Sequence, residues 1–334
     1  MDQSNIKPLR LAFLGTGWIG RDRMQALISS GLAEAVAIAD PTERMREEAL
    51  VLAPQATPVE TLAELLAFEP DGVVIATPSA MHAAQAIEVL QRGIPVFCQK
   101  PLGRNAAEVA AVLAAARSAD KLLGVDFSYR KTRGIGMIHD LLRQGELGRI
   151  YSVDLQFHNA YGPDKDWFFD RTQSGGGCVM DLGVHLVDLA LWLLDCRDVT
   201  QVHSVLYSGG EPLAPAALPV EDYALAEFRT SEGQVVRLAC SWKAHAGCDA
   251  VIRVDLQGTE GGATFSNIAG SFYDFEARRH RSTATELLAG PPEDWGGKAA
   301  IAWARQLLEN PAYDAEADRF LLVAQVLDRI YSGH

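Results

Sequence analysis

The chain of 334 residues is short of positive charge, of cysteine and of long apolar runs. Its formal net charge is −13, so it lacks the basic balance expected of a protein that binds nucleic acids or anionic membranes. Its longest apolar run, Leu186–Leu194, contains Asp188 and is too short to cross a bilayer. The N-terminus is polar and carries no signal-peptide pattern. We therefore predict a cytoplasmic protein with no nucleic-acid and no membrane partner.

Cysteine usage argues against disulfides and against zinc. The sequence has five cysteines, at positions 98, 178, 196, 240 and 248. The odd number and the lack of a Cys-x-x-Cys pair favour reduced thiols. The other candidate ligand set, Asp181, His185 and Asp188, contains a single imidazole, so we predict no metal site.

The first 125 residues alternate between short β-rich runs and helical patterns. The predicted strands are Leu9–Leu14, Ala35–Ala39, Gly72–Ala76, Ile94–Cys98 and Leu122–Asp126. The predicted helices are Arg21–Ser30, Thr42–Ala53, Val59–Phe68, Ala80–Arg92 and Ala106–Ala119. Apolar strands separated by helices indicate a parallel sheet that is covered on both faces. We predict an α/β protein whose residues 1–127 form a doubly wound Rossmann domain.

After Lys131 the pattern changes to consecutive strands joined by short turns. The predicted strands are Ile150–Phe157, Val199–Tyr207, Asp222–Phe228, Val235–Trp242, Val251–Leu256, Gly262–Ser266 and Ser271–Ala277. The predicted helices are Ile135–Gln144, a buried helix over Val179–Leu194, Lys298–Glu309 and Ala315–Tyr331, and Leu213–Pro219 is predicted as a surface loop. This order indicates an α+β domain over residues 128–334 with an open, mostly antiparallel sheet, and a C-terminal helix can pack back on the first domain.

A glycine-rich turn, GTGWIG, follows the first predicted strand and opens the first helix. Gly15 permits a tight turn, Gly17 lets the backbone approach a pyrophosphate, and Gly20 lets helix and strand pack closely. Asp40 closes the second strand, 20 residues beyond Gly20, where a carboxylate can accept both ribose hydroxyls. Because a carboxylate there repels a 2′-phosphate, we predict NAD rather than NADP, although Arg44 could reach a phosphate.

Asp181, His185 and Asp188 interrupt an otherwise apolar helical segment. At spacings of four and three residues they fall on one stripe of an α-helix. Buried carboxylates and imidazoles are costly unless they pair or react, and a carboxylate beside an imidazole sets its pKa and orientation. The stripe is therefore either a proton-transfer site or a satisfied core network.

Three stretches, taken together with the glycine turn, resemble one family. Ala76–His82 reads ATPSAMH, Gly93–Leu102 reads GIPVFCQKPL, and Gly175–Gly177 precedes Asp181–His185, which reads DLGVH. Together they resemble the Gfo/Idh/MocA oxidoreductases, the group that contains glucose–fructose oxidoreductase and inositol dehydrogenases. The resemblance covers essentially the whole chain. It implies a Rossmann domain, a substrate domain with a large open sheet, the cofactor between them, and homodimers or homotetramers formed through that sheet.

The resemblance also implies which residues bind and react. Lys100 matches the lysine of the family's Glu-Lys-Pro motif at the nicotinamide, and Asp181 and His185 match the family's helix motif. Gln99 stands where that motif has glutamate, so it keeps a carbonyl and loses the charge, and Ser79 stands where asparagine is frequent. The implied cofactor-binding residues are Gly15, Gly17, Trp18, Ile19, Gly20, Asp40, Thr77, Pro78, Ser79, His82, Gln99 and Lys100.

Each motif also has a structural interpretation. Thr77–Ser79 could end a strand and cap the next helix. His82 could lie on a helix surface, and Lys100 could be a solvated strand-end lysine. The peptide bond between Lys100 and Pro101 could be cis or trans.

We expect the protein to oxidise a secondary alcohol of a sugar, polyol or inositol-like substrate, reversibly. His185 is the predicted general base, Asp181 orients and stabilises it, and Lys100 stabilises the negative charge on the substrate oxygen. The loop from His158 to Arg171, with Trp167, and Arg130 beyond the last Rossmann strand are further candidates for substrate contacts.

Two other function classes stay open at this point. One is a redox-neutral, NAD-dependent glycosidase, and the other is a catalytically silent ligand sensor. The three intact residues Lys100, Asp181 and His185 favour an enzyme over a sensor.

Overall fold

The computed structural model describes residues 7–214, 219–293 and 295–333. Its strands are β1 Leu9–Leu14, β2 Ala33–Ala39, β3 Thr57–Val59, β4 Gly72–Ile75, β5 Val96–Cys98, β6 Leu123–Val125, β7 Ile150–Asn159, β8 Val199–Ser208, β9 Glu211–Pro212, β10 Tyr223–Thr230, β11 Val235–Ser241, β12 Ala250–Gly258, β13 Gly262–Asn267, β14 Phe275–Arg281 and β15 Ala284–Ala289. Its α-helices are α1 Trp18–Ser29, α2 Glu43–Leu50, α3 Leu62–Leu66, α4 Ser79–Gln91, α5 Ala106–Ala119, α6 Arg133–Arg143, α7 Arg171–Ser174, α8 Val184–Leu193, α9 Lys298–Glu309 and α10 Arg319–Ser332. Of the predicted surface loop Leu213–Pro219, residues 215–218 lie outside the described residues.

The chain divides into two compact units. The first contains the residues up to 103, residues 107–128 and residues 296–318. The second contains residues 104–106, residues 129–295 and the residues from 319 on. The units therefore part after Ser128, and the first unit takes in α9 from the C-terminal part of the chain.

The first unit is built on a six-stranded sheet with the order β3-β2-β1-β4-β5-β6. Every pairing in it is parallel, and β4 and β5 are buried along their whole length. The predicted doubly wound sheet is confirmed. Strand β3 was not predicted, because three residues are too few for a periodic pattern. The helix predicted over Val59–Phe68 begins later, behind a capping box of Thr61 and Glu64.

Helix α9 is held in the first unit by Trp303. Its indole is 4% exposed and lies 5.6 Å from the Phe97 ring, centroid to centroid. A Cβ atom at Gly124 would lie 2.7 Å from Trp303 Cδ1, and one at Gly72 would lie 2.7 Å from Trp303 Cη2. The two glycines on β6 and β4 therefore make room for the indole against the sheet.

The second unit is built on a nine-stranded sheet with the order β15-β14-β13-β12-β7-β11-β10-β8-β9. Only the β7–β11 pairing is parallel among its described strands, so the predicted open, mostly antiparallel sheet is confirmed. Burial alternates along β10, with one face in the core and the other exposed. The exposed edge strand β15 was not predicted, because its residues show no alternation of polarity.

The segment Arg171–Leu193 is long and apolar enough, by length and composition, to cross a membrane. It comprises α7, the glycine turn Gly175–Gly177, a π-helical stretch over Val179–Gly183, and α8. In this structure 89% of its most apolar window is buried inside the protein, as expected of a core helix.

Glu221, which is 2% exposed, caps the buried start of the π-helical stretch, at Gly177–Val179. Glu221 Oε1 accepts hydrogen bonds from the backbone N–H groups of Gly177 and Val179, both at 2.9 Å, and from the hydroxyl of Tyr331 at 2.8 Å. Its backbone carbonyl accepts from Cys178 N at 3.0 Å. These bonds satisfy N–H groups that a helix start leaves without an intrahelical partner.

Burial raises the pKa of the Glu221 carboxyl above its ordinary value of 4.5, against the opposing effect of the hydrogen bonds from Val179, Tyr331 and Gly177. The folded protein therefore holds this proton at a pH where the unfolded chain has released it. The stabilisation from this group is complete below the ordinary value and is lost as the pH rises through the folded pKa.

Replacing Glu221 with glutamine should remove this pH dependence. The amide oxygen can still accept the three hydrogen bonds, and it carries no charge to desolvate. We expect the free energy of unfolding of Glu221→Gln, relative to the wild type, to rise by on the order of 1 kcal/mol between about pH 4 and about pH 8. Urea unfolding across that range measures it. Exposed Glu211→Gln is the control for loss of one charge, and a difference that is constant with pH would contradict the interpretation.

Candidate active site

The three glycines of the first turn have three different environments. Gly15 has φ +82°, and a Cβ there would lie 2.7 Å from the Ala76 carbonyl group. A Cβ at Gly20 would lie 2.1 Å from Gly15 O. Gly17 is the N-cap of α1, and a Cβ there would meet nothing within 4 Å. Gly15 and Gly20 therefore shape the turn, whereas Gly17 leaves open space at a helix N-terminus that no side chain caps, as a bound pyrophosphate requires.

Asp40 is held in a fixed orientation just after β2. It is 8% exposed, its Oδ2 accepts from Thr16 N at 2.9 Å, and its Oδ1 accepts from Thr42 N at 2.9 Å. Thr16 Oγ1 also donates to Asp40 Oδ2 at 3.3 Å, so of the about four acceptor positions of a carboxylate one remains for a ribose hydroxyl. Arg44, the candidate for a 2′-phosphate, has a side chain that is 78% exposed and pairs with Glu48 at 2.7 Å. Of the remaining turn residues, Trp18 is 65% exposed and Ile19 is partly buried.

The turn after β4 begins helix α4. Pro78 is the N-cap, Ser79 is 4% exposed, and Thr77 Oγ1 donates to Gln85 Oε1 at 2.6 Å. The structural interpretation of Thr77–Ser79 therefore holds, because these residues connect the end of β4 to the start of α4. A role of these residues at the cofactor stays a prediction.

His82 is not a helix-surface residue, because it is 1% exposed. Its Nε2 lies 2.6 Å from Thr77 O, and its Nδ1 lies 2.7 Å from Pro101 O. Burial holds the pKa of the imidazole below its usual range, against the two backbone contacts. A neutral ring donates to one of the two carbonyls. His82 therefore lies between the turn after β4 and the segment after β5, and its role at the cofactor stays a prediction.

Lys100 lies directly beyond β5, and its peptide bond to Pro101 is cis. The preceding Gln99 is 5% exposed, and its Nε2 donates to Asp126 Oδ2 at 2.5 Å. Asp126 is 1% exposed and also accepts from Arg23 Nε at 2.5 Å. Arg23 and Asp126 were not among the predicted site residues. An acidic residue at the end of an apolar strand was the signal for Asp126, whereas nothing local marks Arg23.

The three polar residues of the apolar segment in the second unit have different neighbours. Residues Val179–Gly183 are π-helical, and the wider π turn changes the angle between Asp181 and the residues after it. Asp188 is 1% exposed and forms a bidentate ion pair with Arg130, whose Nε donates to Asp188 Oδ2 at 2.7 Å. Burial raises the pKa of the Asp188 carboxyl, and the guanidinium opposes the rise. For Asp188, the core-network interpretation of the stripe is therefore favoured.

Arg130 was predicted as a substrate residue. Besides the ion pair, its guanidinium lies 5.6 Å from the centre of the Trp192 ring. These contacts explain a buried arginine without a substrate, so the predicted substrate role gains no support from them.

Asp181 and His185 have aromatic neighbours within their own unit. Asp181 is half-buried, and its Oδ2 accepts from Trp242 Nε1 at 3.0 Å. His185 is 8% exposed and packs edge-to-face against Tyr129, with ring centroids 5.1 Å apart. Phe157 lies 6.3 Å from the same imidazole, centroid to centroid. These aromatic rings give the histidine a low-dielectric environment, in which its electrostatic interactions with neighbouring groups are stronger than in water.

The loop predicted to cover a substrate forms an aromatic cluster around Trp242. Trp167 stacks on Phe168 at 3.8 Å between centroids, and Phe168 and Phe169 lie edge-on to Trp242 at 6.3 and 5.5 Å. Trp167 is partly buried, and 44% of Phe169 is exposed. The loop thus supports the tryptophan that orients Asp181. Trp242 was missed as a site residue, because its partner lies 61 positions away.

Comparison with known proteins identifies the family. Residues 9–127 match the model described as an oxidoreductase family with an NAD-binding Rossmann fold, and residues 136–264 match the GFO/IDH/MocA C-terminal domain. An Amycolatopsis mediterranei protein, assigned as a UDP-kanosamine synthase oxidoreductase subunit, is 32% identical over 76% of this chain and 74% of its own length. The inositol 2-dehydrogenase of Rhodococcus erythropolis is 29% identical over 95% of this chain and 84% of its own.

Solved structures agree on the fold. Levoglucosan dehydrogenase in complex with NADH and L-sorbose superimposes with a TM-score of 0.84 at 21% identity, covering 98% of this chain and 97% of that one. KijD10, a 3-ketoreductase from Actinomadura kijaniata solved with NADP, gives 0.83 at 22% identity and covers 98% of both chains. The predictions of fold class and of an NAD(P)-dependent oxidoreductase are therefore confirmed, and the chain belongs to the Gfo/Idh/MocA family of oxidoreductases.

Proposed function

We propose that the protein oxidises a secondary alcohol of a sugar, polyol or inositol-like substrate, reversibly and with NAD. The observation that carries the proposal is the environment of His185, a nearly buried imidazole walled by aromatic rings, on the same helical segment as the half-buried carboxylate of Asp181. Apolar rings beside a few fixed polar groups suit a carbohydrate. Relatives named inositol 2-dehydrogenase and D-glucoside 3-dehydrogenase support this substrate class.

The residues have separate parts in the reaction. Bound NAD would supply the redox chemistry at the site formed by the glycine turn and Asp40. His185 takes the proton of the substrate hydroxyl and returns it in the reverse direction. Asp181, held by Trp242, stabilises the imidazolium. Lys100 stabilises the negative charge that develops on the substrate oxygen.

A panel of polyols, aldoses and glycosides, each with NAD and with NADP, tests the reaction class. Accumulation of reduced cofactor with one of these substrates supports a dehydrogenase. Cleavage of a glycoside without net reduction would instead identify a redox-neutral glycosidase. Binding of a sugar with neither outcome would identify a sensor.

Removing either proposed catalytic group should reduce turnover. We expect Lys100→Met to lower kcat by about 10²–10³-fold while NADH affinity changes by no more than a few-fold. We expect His185→Asn to remove the ionisation on the acid limb of the pH–rate profile. Steady-state kinetics and NADH fluorescence titration measure these effects, with Lys121→Met as the control for loss of a lysine. If both groups serve one step, the double variant will lose much less than the product of the single losses. Wild-type turnover in either single variant would reject that assignment.

The preference for NAD is proposed to come from Asp40. We expect Asp40→Asn to lower kcat/KM for NAD by about 10–100-fold, because it weakens charge-assisted hydrogen bonds to the ribose. The kcat/KM for NADP should fall less, because the substitution also reduces the repulsion between residue 40 and the 2′-phosphate. Arg44→Ala is the control, and little change is expected because Arg44 is exposed and paired with Glu48. A wild-type protein that already favours NADP would contradict the proposal.

We further propose a homodimer or homotetramer formed through the open face of the nine-stranded sheet. Val205, Tyr223 and Leu225 lie on that face and are 48%, 38% and 45% exposed, and Leu225 pairs with Val205 across β10 and β8. Adjacent exposed apolar side chains on a sheet face favour a protein partner.

Light scattering tests this assembly. Leu225→Lys should lower the molar mass in solution toward that of one chain, because it places a charge within the proposed apolar contact. Val51→Lys, at a position that is 79% exposed in the first unit, is the matched control and should keep the wild-type mass. A wild-type mass of one chain would reject the proposal.

A reducing compartment, the cytoplasm, is proposed as the location. All five cysteines are free thiols, and four of them are buried. The proposed partners are the small-molecule substrate and further copies of the chain, with no nucleic acid or membrane.

A further inference from the structure

A buried polar cluster in the first unit includes Gln99, the residue before Lys100. It consists of Gln99 after β5, Asp126 and Ser128 after β6, and Arg23 on α1, all at most 5% exposed. Asp126 Oδ2 accepts from Arg23 Nε and from Gln99 Nε2, and Asp126 Oδ1 accepts from Ser128 Oγ at 2.7 Å. Arg23 Nη2 also donates to Ser128 Oγ at 3.1 Å.

The register of the sheet places Gln99 beside Asp126. Strands β5 and β6 are parallel neighbours in which Cys98 pairs with Val125. Gln99 and Asp126 are the next residues on each strand, and Asp126 N donates to Cys98 O at 2.9 Å. The two side chains therefore leave the sheet side by side.

The pair requires an amide at position 99. Only the NH₂ group of the glutamine can donate to a carboxylate, so its orientation is fixed. A glutamate in the same place would bring two buried carboxylates within hydrogen-bond distance, and both could not stay ionised. The amide at 99 and the carboxylate at 126 thus depend on each other, and Arg23 supplies the counter-charge, itself paired with half-exposed Asp22.

Lys100 lies between two anchored residues. On one side, Gln99 is held by Asp126 and by its own N–H, which donates to Ile75 O at 2.8 Å. On the other, the Pro101 carbonyl faces His82 Nδ1 at 2.7 Å.

We propose that Asp126 is a positioning residue for Lys100: with Gln99 as its donor and Arg23 as its counter-charge, it carries the buried negative charge that the Glu-Lys-Pro motif carries one residue before the lysine. The functional meaning of this placement rests on the role given to Lys100 in the proposed function. The placement itself is independent of that role, and so is its test.

The test is an isosteric charge exchange. Gln99→Glu, Asp126→Asn and the double variant are compared with the wild type. The double variant restores one carboxylate and one amide in inverted order, so the pair regains its hydrogen bond. The amide introduced at 126 then places its NH₂ group where Oδ2 accepts from Arg23 Nε in the wild type, so Arg23 loses that acceptor and keeps Asp22 as its anionic partner. Trace acetylation of the full-length protein by acetic anhydride, quantified by mass spectrometry, reports the environment of each lysine ammonium.

We expect each single variant to change the labelling rate of Lys100 by about threefold or more. The double variant should return part of the way to the wild-type rate, because the pair is restored whereas the bond from Arg23 Nε is not. The rate at Lys121, on the same unit, should stay constant. The urea midpoint should be lowest in the single variants and higher in the double variant. If Asp126→Asn alone does not fold, the recovery of the double variant over Gln99→Glu still decides the question.

Two results would overturn the proposal. An unchanged Lys100 rate in folded single variants, alongside a lower urea midpoint, would make the cluster purely structural. A double variant no better than the worse single variant would show that the two side chains are not coupled. Failure of the proposed function appears elsewhere, as wild-type turnover in Lys100→Met, and leaves the labelling result standing.

Discussion

The constraint on which the first unit depends is that parallel strands end at the same edge of their sheet. The glycine turn follows β1, Asp40 follows β2, Thr77 follows β4, Lys100 follows β5 and Asp126 follows β6. Each of these short polar segments is unremarkable alone, but the topology gathers them along one edge. The contacts between them, Thr16 to Asp40, His82 to Pro101 and Gln99 to Asp126, are consequences of that edge.

Buried ionisable groups in both units have ionic or hydrogen-bonding partners. Asp126 pairs with Arg23, Asp188 pairs with Arg130, and Glu221 accepts three hydrogen bonds at a helix start. Burial of an ionisable group is therefore not by itself a sign of catalysis in this chain. Asp181 differs from these three, because it is only half-buried and accepts from the indole of Trp242, which fixes its orientation without an ionic partner in that contact.

The sequence was informative where the signal is local. The bounds of β1, α5 and α9 agree with the prediction, because each has a complete periodic pattern of its own. β3, β9 and β15 were missed, because they are very short or lie exposed at a sheet edge. The glycine turn and Asp40 could be found from spacing. The structure gives Gly15 and Gly20 distinct steric reasons and leaves open space at Gly17.

The partners of the candidate residues could not be found in the same way. Arg23 and Asp126 lie 103 positions apart, and Asp181 and Trp242 lie 61 apart. Such pairs are set by strand order and register, which a single sequence does not specify. The π-helical stretch over Val179–Gly183 could not be predicted either, because the change from an α-helical to a π-helical turn leaves no mark in an apolar sequence.

The exchange of glutamate for glutamine at position 99 illustrates why a motif should be judged with its partners. Taken alone, the substitution removes a charge beside Lys100. In the folded chain the negative charge is present one strand away at Asp126, at a depth where a second carboxylate would not be tolerated. The buried cluster next to Lys100 in sequence therefore contains one carboxylate, one amide donor and one guanidinium. What changes is which strand bears the charge, and a variation of that kind can leave the environment of the lysine intact.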